Sequence, residues 1–185
     1  MQRIAPISTD QPGLAEAIFN TVKQQMGSVP NIFATMAQSP SVLEGFLAFN
    51  GALGYGVLDS QTREQIALTV AGANDCDYCA SAHTLLAKGA GVMESEVTLS
   101  LSGSASDAKT NAILEFTTMV VNQRGHVGNH ELEALRGNGV TDAELVEILA
   151  HIGINLFTNY FNHVAQTAID FPFVAANPSE SSLNH

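Results

Sequence analysis

Two cysteines, a histidine and a glutamate form the pattern in this sequence with the clearest capacity for chemistry. Cys76 and Cys79 are three residues apart, and His83 follows the second thiol by four. Residues three and four apart lie on one face of an α-helix, so these three side chains are predicted to project in one direction. Glu64 precedes Cys76 by eleven intervening residues. From the preceding helix, its carboxylate is placed to orient the His83 imidazole.

A helix N-terminus beside these thiols would favour their ionised form. Asn74 or Asp75 is the predicted N-cap, which places Cys76 in the first turn. Unpaired backbone N–H groups and the helix dipole stabilise a thiolate there. The helix end favours Cys76 as the more acidic thiol, whereas His83 lies one turn from Cys79, so the residues alone leave both assignments open. The set supplies an attacking thiol, a resolving thiol, a base and a proton source.

Two other interpretations fit the same residues. Cys76 and Cys79 could be two small buried apolar side chains, because free cysteine is among the most buried residue types. Cys76, Cys79 and His83 are also three potential zinc ligands, with Glu64 or water as the fourth. A structural zinc site usually draws ligands from a second segment, and the chain has only these two cysteines. Redox chemistry is therefore favoured over metal binding.

Helical periodicity along nearly the whole chain predicts the elements that hold these residues. Leu14, Ile18, Val22 and Met26 step by four along one face, and Gly27 ends that run. No segment alternates polar and β-branched residues as a strand does. We predict an all-α fold, a single-domain bundle of about eight helices.

Start signals mark further helices. Ser39-Pro40 and Asp59-Ser60 each place a capping residue before a helix, and Thr141 with Glu144 has the capping-box pattern. The longest predicted helix runs from Thr141 to Ala168. From Ile148 to Phe161 it is apolar on most sides, which predicts a central or interface helix.

The length of 185 residues is typical of one domain. We predict an N-terminal arm at 1–12, a helical domain at 13–173 and a flexible C-terminal tail at 174–185. Hydrophobic residues make up 45% of the chain and charged residues only 14%. This imbalance predicts that some apolar surface is buried between copies of the chain.

Charge and composition exclude several classes of partner. Seven Lys and Arg against eighteen Asp and Glu give a formal net charge of −11. Such a surface repels phosphate backbones, so neither nucleic acid nor an anionic membrane surface is an expected partner. Two cysteines do not make a disulfide scaffold, and the sequence shows neither a secretory signal pattern nor a membrane-spanning apolar run. We expect a cytoplasmic protein.

The spacing Glu-x(11)-Cys-x-x-Cys-x-x-x-His resembles the motif of the alkylhydroperoxidase D (AhpD)-like branch of the carboxymuconolactone decarboxylase family. Glu64, Cys76, Cys79 and His83 match every position of that motif. The flanking segments are similar to the peroxidase-related subgroup: V-P-N-I-F at 29–33, R-E-Q-I-A-L at 63–68 and N-Y-F-N-H at 159–163. The resemblance covers roughly residues 28–173.

The resemblance implies an AhpD-like fold, a homo-oligomer (commonly a trimer or hexamer) and thiol-dependent hydroperoxide reduction without haem, flavin or metal. It makes Cys79 the peroxidatic cysteine, which attacks the O–O bond and becomes a sulfenic acid. Cys76 is then the resolving cysteine that condenses with it to a disulfide. Glu64 and His83 form the proton relay. The implied partners are a hydroperoxide substrate and a thiol reductant.

One position departs from the family pattern. The best-known member has a histidine directly before the peroxidatic cysteine, where this chain has Tyr78. A tyrosine hydroxyl donates a hydrogen bond but is not a base near neutral pH, so Tyr78 is predicted to be auxiliary. A disulfide oxidoreductase or thiol redox sensor without efficient peroxidase turnover stays open, as does the Cys/Cys/His metal-binding module. The decarboxylase branch lacks the cysteine pair, which argues against that activity.

The remaining histidines are predicted to be structural or solvated. His126 and His130 lie in turn regions, and His185 belongs to the tail. His151 and His163 lie within the longest predicted helix, where a buried, hydrogen-bonded histidine is expected.

Overall fold

The computed structural model describes residues 2–177, and the regular elements in this part of the chain are helical. A short 3-10 turn at Gly13–Ala15 precedes the α-helices. These are α1 (Glu16–Met26), α2 (Asn31–Met36), α3 (Pro40–Leu53), α4 (Ser60–Ala73), α5 (Asp77–Gly89), α6 (Glu94–Leu101), α7 (Ala108–Asn122), α8 (Asn129–Gly137) and α9 (Asp142–Ala165). The all-α prediction is confirmed, with one helix more than expected within residues 2–177.

The predicted start signals of α4 and α9 form the capping contacts expected of them. The Asp59 carboxylate accepts a hydrogen bond from the Thr62 N–H at 2.8 Å. Thr141 and Glu144 form a reciprocal capping box, with the Thr141 N–H donating to the Glu144 carboxylate at 2.7 Å. Ser39 precedes α3 as predicted, although its hydroxyl makes no capping hydrogen bond. Local chemistry thus determines where α4 and α9 begin.

The predicted apolar face of α1 is confirmed at Val22 and wrong at its two ends. Phe19 and Val22 are buried, whereas Leu14 is 92% exposed and Met26 is also exposed. Leu14 lies in the 3-10 turn, whose different pitch rotates its side chain away from the α1 face. Gly27 ends α1 in the left-handed conformation as predicted, at φ 79°.

Helix α9 ends three residues before the predicted position. Ala165 is its last residue, and Gln166 adopts a left-handed conformation at φ 52°. The Arg3 N–H donates to the Ala165 carbonyl at 2.7 Å, so the N-terminal segment occupies a carbonyl of the last turn. The apolar pattern continues past this point, but the chain leaves the helix there.

Helix α4 is the centre of the bundle. It packs against α5, α6, α7 and α9, and its residues from Gln65 to Ala71 are all buried. Gly72 touches the Leu101 carbonyl of α6 so closely that a side-chain carbon there would clash with it. Of the two positions predicted for the longest helix, central or at an interface, the central one belongs to α4.

Two separate clusters of buried residues form the interior on either side of α4. The thiol core contains both cysteines; its larger members are Phe19, Ile32, Met36, Leu43, Leu68, Cys76, Tyr78, Cys79, Val92, Val97 and Leu101. The thiol-free core lies among α4, α7, α8 and α9; it contains Leu58, Ile66, Val70, Ile113, Leu114, Phe116, Val120, Leu135, Val140, Ile148 and Ile152. Helix α4 contributes to both.

The chain after α9 returns across α5 as an extended segment, the C-terminal strap (residues 170–177). The Val174 N–H donates to the Ser81 hydroxyl at 2.9 Å, and the Ala176 N–H donates to the Asp77 carboxylate at 2.9 Å. Residues 174–177 of the predicted tail are thus packed on α5, and 178–185, with His185, lie outside the described residues. The division into arm, domain and tail stays a prediction.

Several large apolar side chains of α9 lie on the surface. Val146, Tyr160 and Val164 are among its most exposed residues, and Leu149 and Phe157 are also exposed. None of the helices in residues 2–177 combines the length and apolar character needed to cross a bilayer.

Candidate active site

Helix α5 begins one or two residues later than predicted from the N-cap candidates Asp75 and Asn74. Cys76 itself is the N-cap, in an extended conformation, and neither Asn74 nor Asp75 has that position. Asp75 adopts a left-handed conformation at φ 54°, and the Cys76 N–H donates to the Ala71 carbonyl at 3.0 Å. This tight turn from α4 occupies the two residues predicted to cap α5. Cys76 is therefore at the helix end, and Cys79 is the third helical residue.

Both cysteines are free thiols in the thiol core, 1% and 3% exposed. Hydrogen bonding from the Cys79 thiol lowers the pKa of Cys76, against the opposing effect of burial. The same pairing, together with burial, raises the pKa of Cys79. The directions of the two shifts favour Cys76 over Cys79 as the first thiol of the pair to ionise.

Glu64 and His83 come together between α4 and α5. The His83 Nδ1 lies 2.8 Å from the Glu64 Oε2, and each side chain is about one-fifth exposed. An ionised carboxylate only accepts hydrogen bonds, so Nδ1 carries the proton of this contact. The other ring nitrogen of His83 is then left to accept or donate a proton elsewhere.

Tyr78 is hydrogen-bonded through its hydroxyl to the C-terminal strap rather than to either thiol. Its hydroxyl donates to the Asp170 carboxylate at 2.8 Å and accepts from the Ile32 N–H at 3.1 Å. Its ring packs edge-on against Phe171. Burial and the Asp170 carboxylate raise the pKa of Tyr78. The hydroxyl is thus engaged in anchoring α2, α5 and the strap to one another.

A stripe of polar residues on α9 faces the cysteines, and sequence reasoning missed it. His151, Asn155, Thr158 and Asn162 are spaced by four, three and four residues, and all four are buried. The Asn162 amide donates to the Cys79 sulfur at 3.3 Å. The sequence contains the signal for this stripe, because polar residues at helical spacing within an apolar helix indicate that the helix has a second, polar face.

A cavity of about 290 Å³ connects these groups. Cys79 and His83 border it, together with Arg63, Glu64 and the four residues of the α9 stripe. Much of the remaining lining is apolar and includes Val22, Met26, Ile32, Phe33, Phe46, Leu47, Leu86 and Phe171. Cys76 does not border the cavity. A small organic molecule inside it would therefore meet Cys79 first.

The other histidines occupy contrasting environments. His126, His130 and His163 are exposed, so the prediction of a buried His163 is wrong; α9 turns that residue outward. His151 is buried as predicted, but its Nε2 has no hydrogen-bond partner. Burial lowers the pKa of His151. Within residues 2–177, no three His, Cys, Asp or Glu side chains are grouped to hold a metal ion.

The residues 40–116, from the start of α3 into α7, match the carboxymuconolactone decarboxylase family. An uncharacterised protein of Haemophilus influenzae is 38% identical over 68 residues, which are 36% of this chain and 60% of that protein. The match thus spans about three-fifths of the length of this curated relative.

Solved structures share nearly the whole fold. The AhpD core of a peroxidase-related protein from Ralstonia eutropha has a TM-score of 0.79 and 25% identity, over 92% of this chain and 94% of that one. A peroxidase-related protein from Silicibacter has a TM-score of 0.79 and 20% identity, over 90% and 92%.

A third solved structure is the debrominase Bmp8, in a complex of a cysteine-to-alanine variant with 2,3,4-tribromopyrrole. Its TM-score is 0.78, with 20% identity over 92% of each chain. At this identity the likeness shows the fold alone. Residues 40–116 thus match the carboxymuconolactone decarboxylase family, and the fold of the chain is that of the AhpD core.

Proposed function

We propose that this chain is a thiol-dependent hydroperoxide reductase. The observation that carries the proposal is the position of Cys79, which borders a cavity with Cys76 behind it and the hydrogen-bonded Glu64–His83 pair beside it. A cysteine pair that shares a proton, next to a carboxylate-oriented imidazole, has the parts needed for a two-electron reduction. The peroxidase-related relatives of the same fold add support.

In the proposed first step, the Cys79 sulfur attacks the terminal oxygen of the hydroperoxide. Before the attack, His83 takes one proton from the thiol pair and the other proton stays on Cys76. An S–O bond forms, the O–O bond breaks, and the alkoxide leaves as an alcohol after His83 returns that proton to it. Glu64 stabilises the imidazolium while His83 carries that proton. The sulfur is oxidised to a sulfenic acid and the peroxide is reduced.

In the second step, the Cys76 sulfur attacks the Cys79 sulfur. A disulfide forms and the sulfenic oxygen leaves as water, so the sum is one hydroperoxide and two thiols giving one alcohol, one water and one disulfide. A thiol reductant then returns two electrons to the disulfide.

Cys79 is proposed as the attacking residue although the first thiolate lies on Cys76. The two sulfurs share one proton, so transfer of that proton from Cys79 to Cys76 moves the negative charge to the sulfur that borders the cavity. The amide of Asn162 donates a hydrogen bond to that sulfur, which stabilises its thiolate. Access therefore decides which thiol reacts, since Cys76 has no contact with the cavity.

The test is the reaction of reduced protein with cumene hydroperoxide, followed by free-thiol titration and mass spectrometry. We expect loss of both thiols per alcohol formed. Cys79→Ser should reduce peroxide consumption by about 100-fold or more, because the attacking sulfur is gone. Cys76→Ser, the matched control, should still react once and stop at the sulfenic acid. Unchanged thiols, or a Cys79→Ser variant as fast as wild type, would refute the proposal.

The same titration separates the alternatives. A single stoichiometric oxidation without turnover by added dithiols would support a thiol redox sensor. Rapid disulfide exchange with no peroxide reaction would support a disulfide oxidoreductase. The metal-binding module gains no support from the side-chain arrangement in residues 2–177.

The homo-oligomer implied by the family resemblance is also proposed. Its support is the exposed apolar side of α9, which includes Val146, Tyr160 and Val164. Light scattering gives the molar mass, and Tyr160→Asp should lower it if α9 forms the contact, because a charge there would be buried at the interface.

A further inference from the structure

The candidate cavity contains a second polar site, away from the thiols, which the proposed reaction does not use. His151 lies seven residues before Thr158 on α9, which is about 10 Å along the helix. Thr158 and Asn162 are at the end of the stripe beside Cys79. His151 therefore lies well beyond hydrogen-bonding distance of the attacking sulfur and has no direct part in the thiol chemistry.

His151 is a buried polar group without a partner. It is 6% exposed, it borders the cavity, and no hydrogen bond is made by its Nε2. A buried polar atom without a partner costs about 1–3 kcal/mol. Burial lowers the pKa of His151, so near neutral pH the ring is uncharged and carries one N–H donor. In the tautomer with the proton on Nε2, this donor has no partner among the described residues and is available to a ligand.

Arg63 supplies a positive charge to the same region. Of the Lys and Arg residues in the part of the chain that the structure describes, it alone borders the cavity. One of its nitrogens, Nη1, donates to the carbonyls of Leu53 and Gly54 at 3.2 and 2.8 Å. These two bonds hold the guanidinium at the end of α3. Its other N–H groups make no hydrogen bond within residues 2–177.

The carboxylates nearest to this site are already engaged. Glu64 is bound to His83, and Glu147 accepts hydrogen bonds from the N–H groups of Val57 and Leu58 at 2.7 and 3.0 Å. Neither makes a hydrogen bond or a close ion pair with Arg63 among the described residues. An incoming carboxylate would thus meet a charged donor and a neutral donor, with apolar side chains in much of the remaining lining.

We infer that Arg63 and His151 form a subsite for a carboxylate, and that the substrate of this cavity is an organic hydroperoxide with a carboxylate at the end opposite its peroxide group. The assignment of the ligand as a hydroperoxide rests on the function proposed above, whereas the carboxylate subsite does not. The apolar body between the two groups would lie against Phe33 and Phe46. Asn155 lies between the two ends on the polar side.

Binding of unreactive ligands tests the subsite without any turnover. The probes are 4-isopropylbenzoate and 4-isopropylbenzyl alcohol, which share the aromatic body and differ in the carboxylate, titrated calorimetrically into reduced protein. We expect the carboxylate to bind about tenfold more tightly, as a charge-assisted hydrogen bond provides. Equal affinity for the two probes would overturn the inference.

Variants assign the effect to residues. Arg63→Gln and His151→Gln should each remove most of the preference for the carboxylate and leave the affinity for the alcohol unchanged. Arg63→Lys keeps the charge and should retain part of the preference, which guards against a loss caused by altered folding of α3. Arg124→Gln, at an exposed position, is the control and should match wild type. A preference that survives in Arg63→Gln would contradict the proposed subsite.

Kinetics connect the subsite to the reaction. Cumene hydroperoxide and its para-carboxy derivative form the matched pair, and the derivative should have a KM about tenfold lower. If neither peroxide is consumed while the benzoate preference holds, the proposed function fails and the subsite stands. If both are consumed with equal KM, the function stands and the carboxylate inference fails.

Discussion

The two cores of this molecule differ in what they bury. The thiol-free core is apolar, and the hydroxyl of Thr117 next to it donates to a backbone carbonyl at 2.8 Å. The thiol core contains two free thiols and a tyrosine, and it borders a cavity. All buried side-chain atoms without partners in residues 2–177 lie on α5, on α9 or just after α9, in Thr84, His151, Asn159, Asn162 and Thr167.

This difference shows where the fold accepts unfavourable contacts. Buried polar atoms are normally paired, and exceptions call for a specific explanation. Here His151 and Asn162 border the cavity, and none of the exceptions among the described residues lies on α7 or α8, the two helices that contribute to the thiol-free core alone. We infer that the thiol-free core contributes more to the free energy of unfolding. The thiol core contributes less, because it buries the reactive and binding groups.

The largest effect is expected for a substitution in the thiol-free core. Ile148 is fully buried in the thiol-free core. Ile148→Ala should lower the free energy of unfolding by about 2–5 kcal/mol, because it leaves a cavity, while the folded protein keeps its rate with peroxide. Urea unfolding gives the first quantity and stopped-flow kinetics the second. Val146→Ala, at an exposed position on the same helix, is the control. If folded Ile148→Ala reacted more slowly with peroxide than wild type, the two cores would not have separate roles.

A somewhat smaller effect is expected for a substitution at the cavity beside the thiol core. Glu64→Gln keeps a hydrogen-bond acceptor for His83 but removes the charge that stabilises the imidazolium. The rate with cumene hydroperoxide should fall by about 100-fold, with a change in unfolding free energy below about 1 kcal/mol. Glu133→Gln, an exposed substitution on α8, should change neither quantity. Retention of the full rate would remove Glu64 from the proposed relay.

A gain in stability should follow where an unpaired group is removed. Asn159 is fully buried, and both atoms of its amide lack partners. Asn159→Leu keeps the number and branching of the side-chain heavy atoms and should raise the unfolding free energy by about 1 kcal/mol, since no desolvated amide remains. Urea unfolding measures it, with Asn122→Leu at an exposed position of α7 as control. A loss of stability would show that the amide has a stabilising partner.

The smallest effect concerns pH. Burial lowers the folded-state pKa of His151 below its ordinary value of 6.5. The unfolded chain therefore binds the extra proton first as pH falls, so the stability that depends on neutral His151 is present above about pH 6.5 and is lost below it. Urea midpoints between about pH 8 and pH 5 should fall less steeply in His151→Gln than in wild type. His126→Gln, at an exposed site, should follow wild type.

The sequence predicted the elements of this fold better than the details of its site. Capping residues such as Asp59 and Thr141 act locally, so their helices begin where predicted. The position of Cys76 as the N-cap depends on the turn at Asp75, whose carboxylate accepts a hydrogen bond from Asn177, more than 100 residues away. Tyr78 could not be assigned for the same reason, because its partner Asp170 lies on the strap.

The α9 stripe differs from Cys76 and Tyr78, because it could have been predicted from the local sequence. Its spacing was visible in the sequence, but the many apolar residues around it led to a prediction of one apolar helix. The structure instead buries Asn155 and Asn162 toward the cavity while Tyr160 and Val164 face outward. The cavity itself arises from α1, α2, α3 and the strap converging on α9, which no local pattern encodes.

The position of Cys76 at the helix end has a consequence for the proposed redox cycle. An N-cap side chain ordinarily reaches toward the third helical residue, and here that residue is Cys79. The Cys76 side chain makes no capping hydrogen bond in the dithiol form. A disulfide between the two would be a covalent cap along the path of a normal capping contact. Oxidation would thus stay within the first turn of α5 and leave His83, one turn further on, in place for the next cycle.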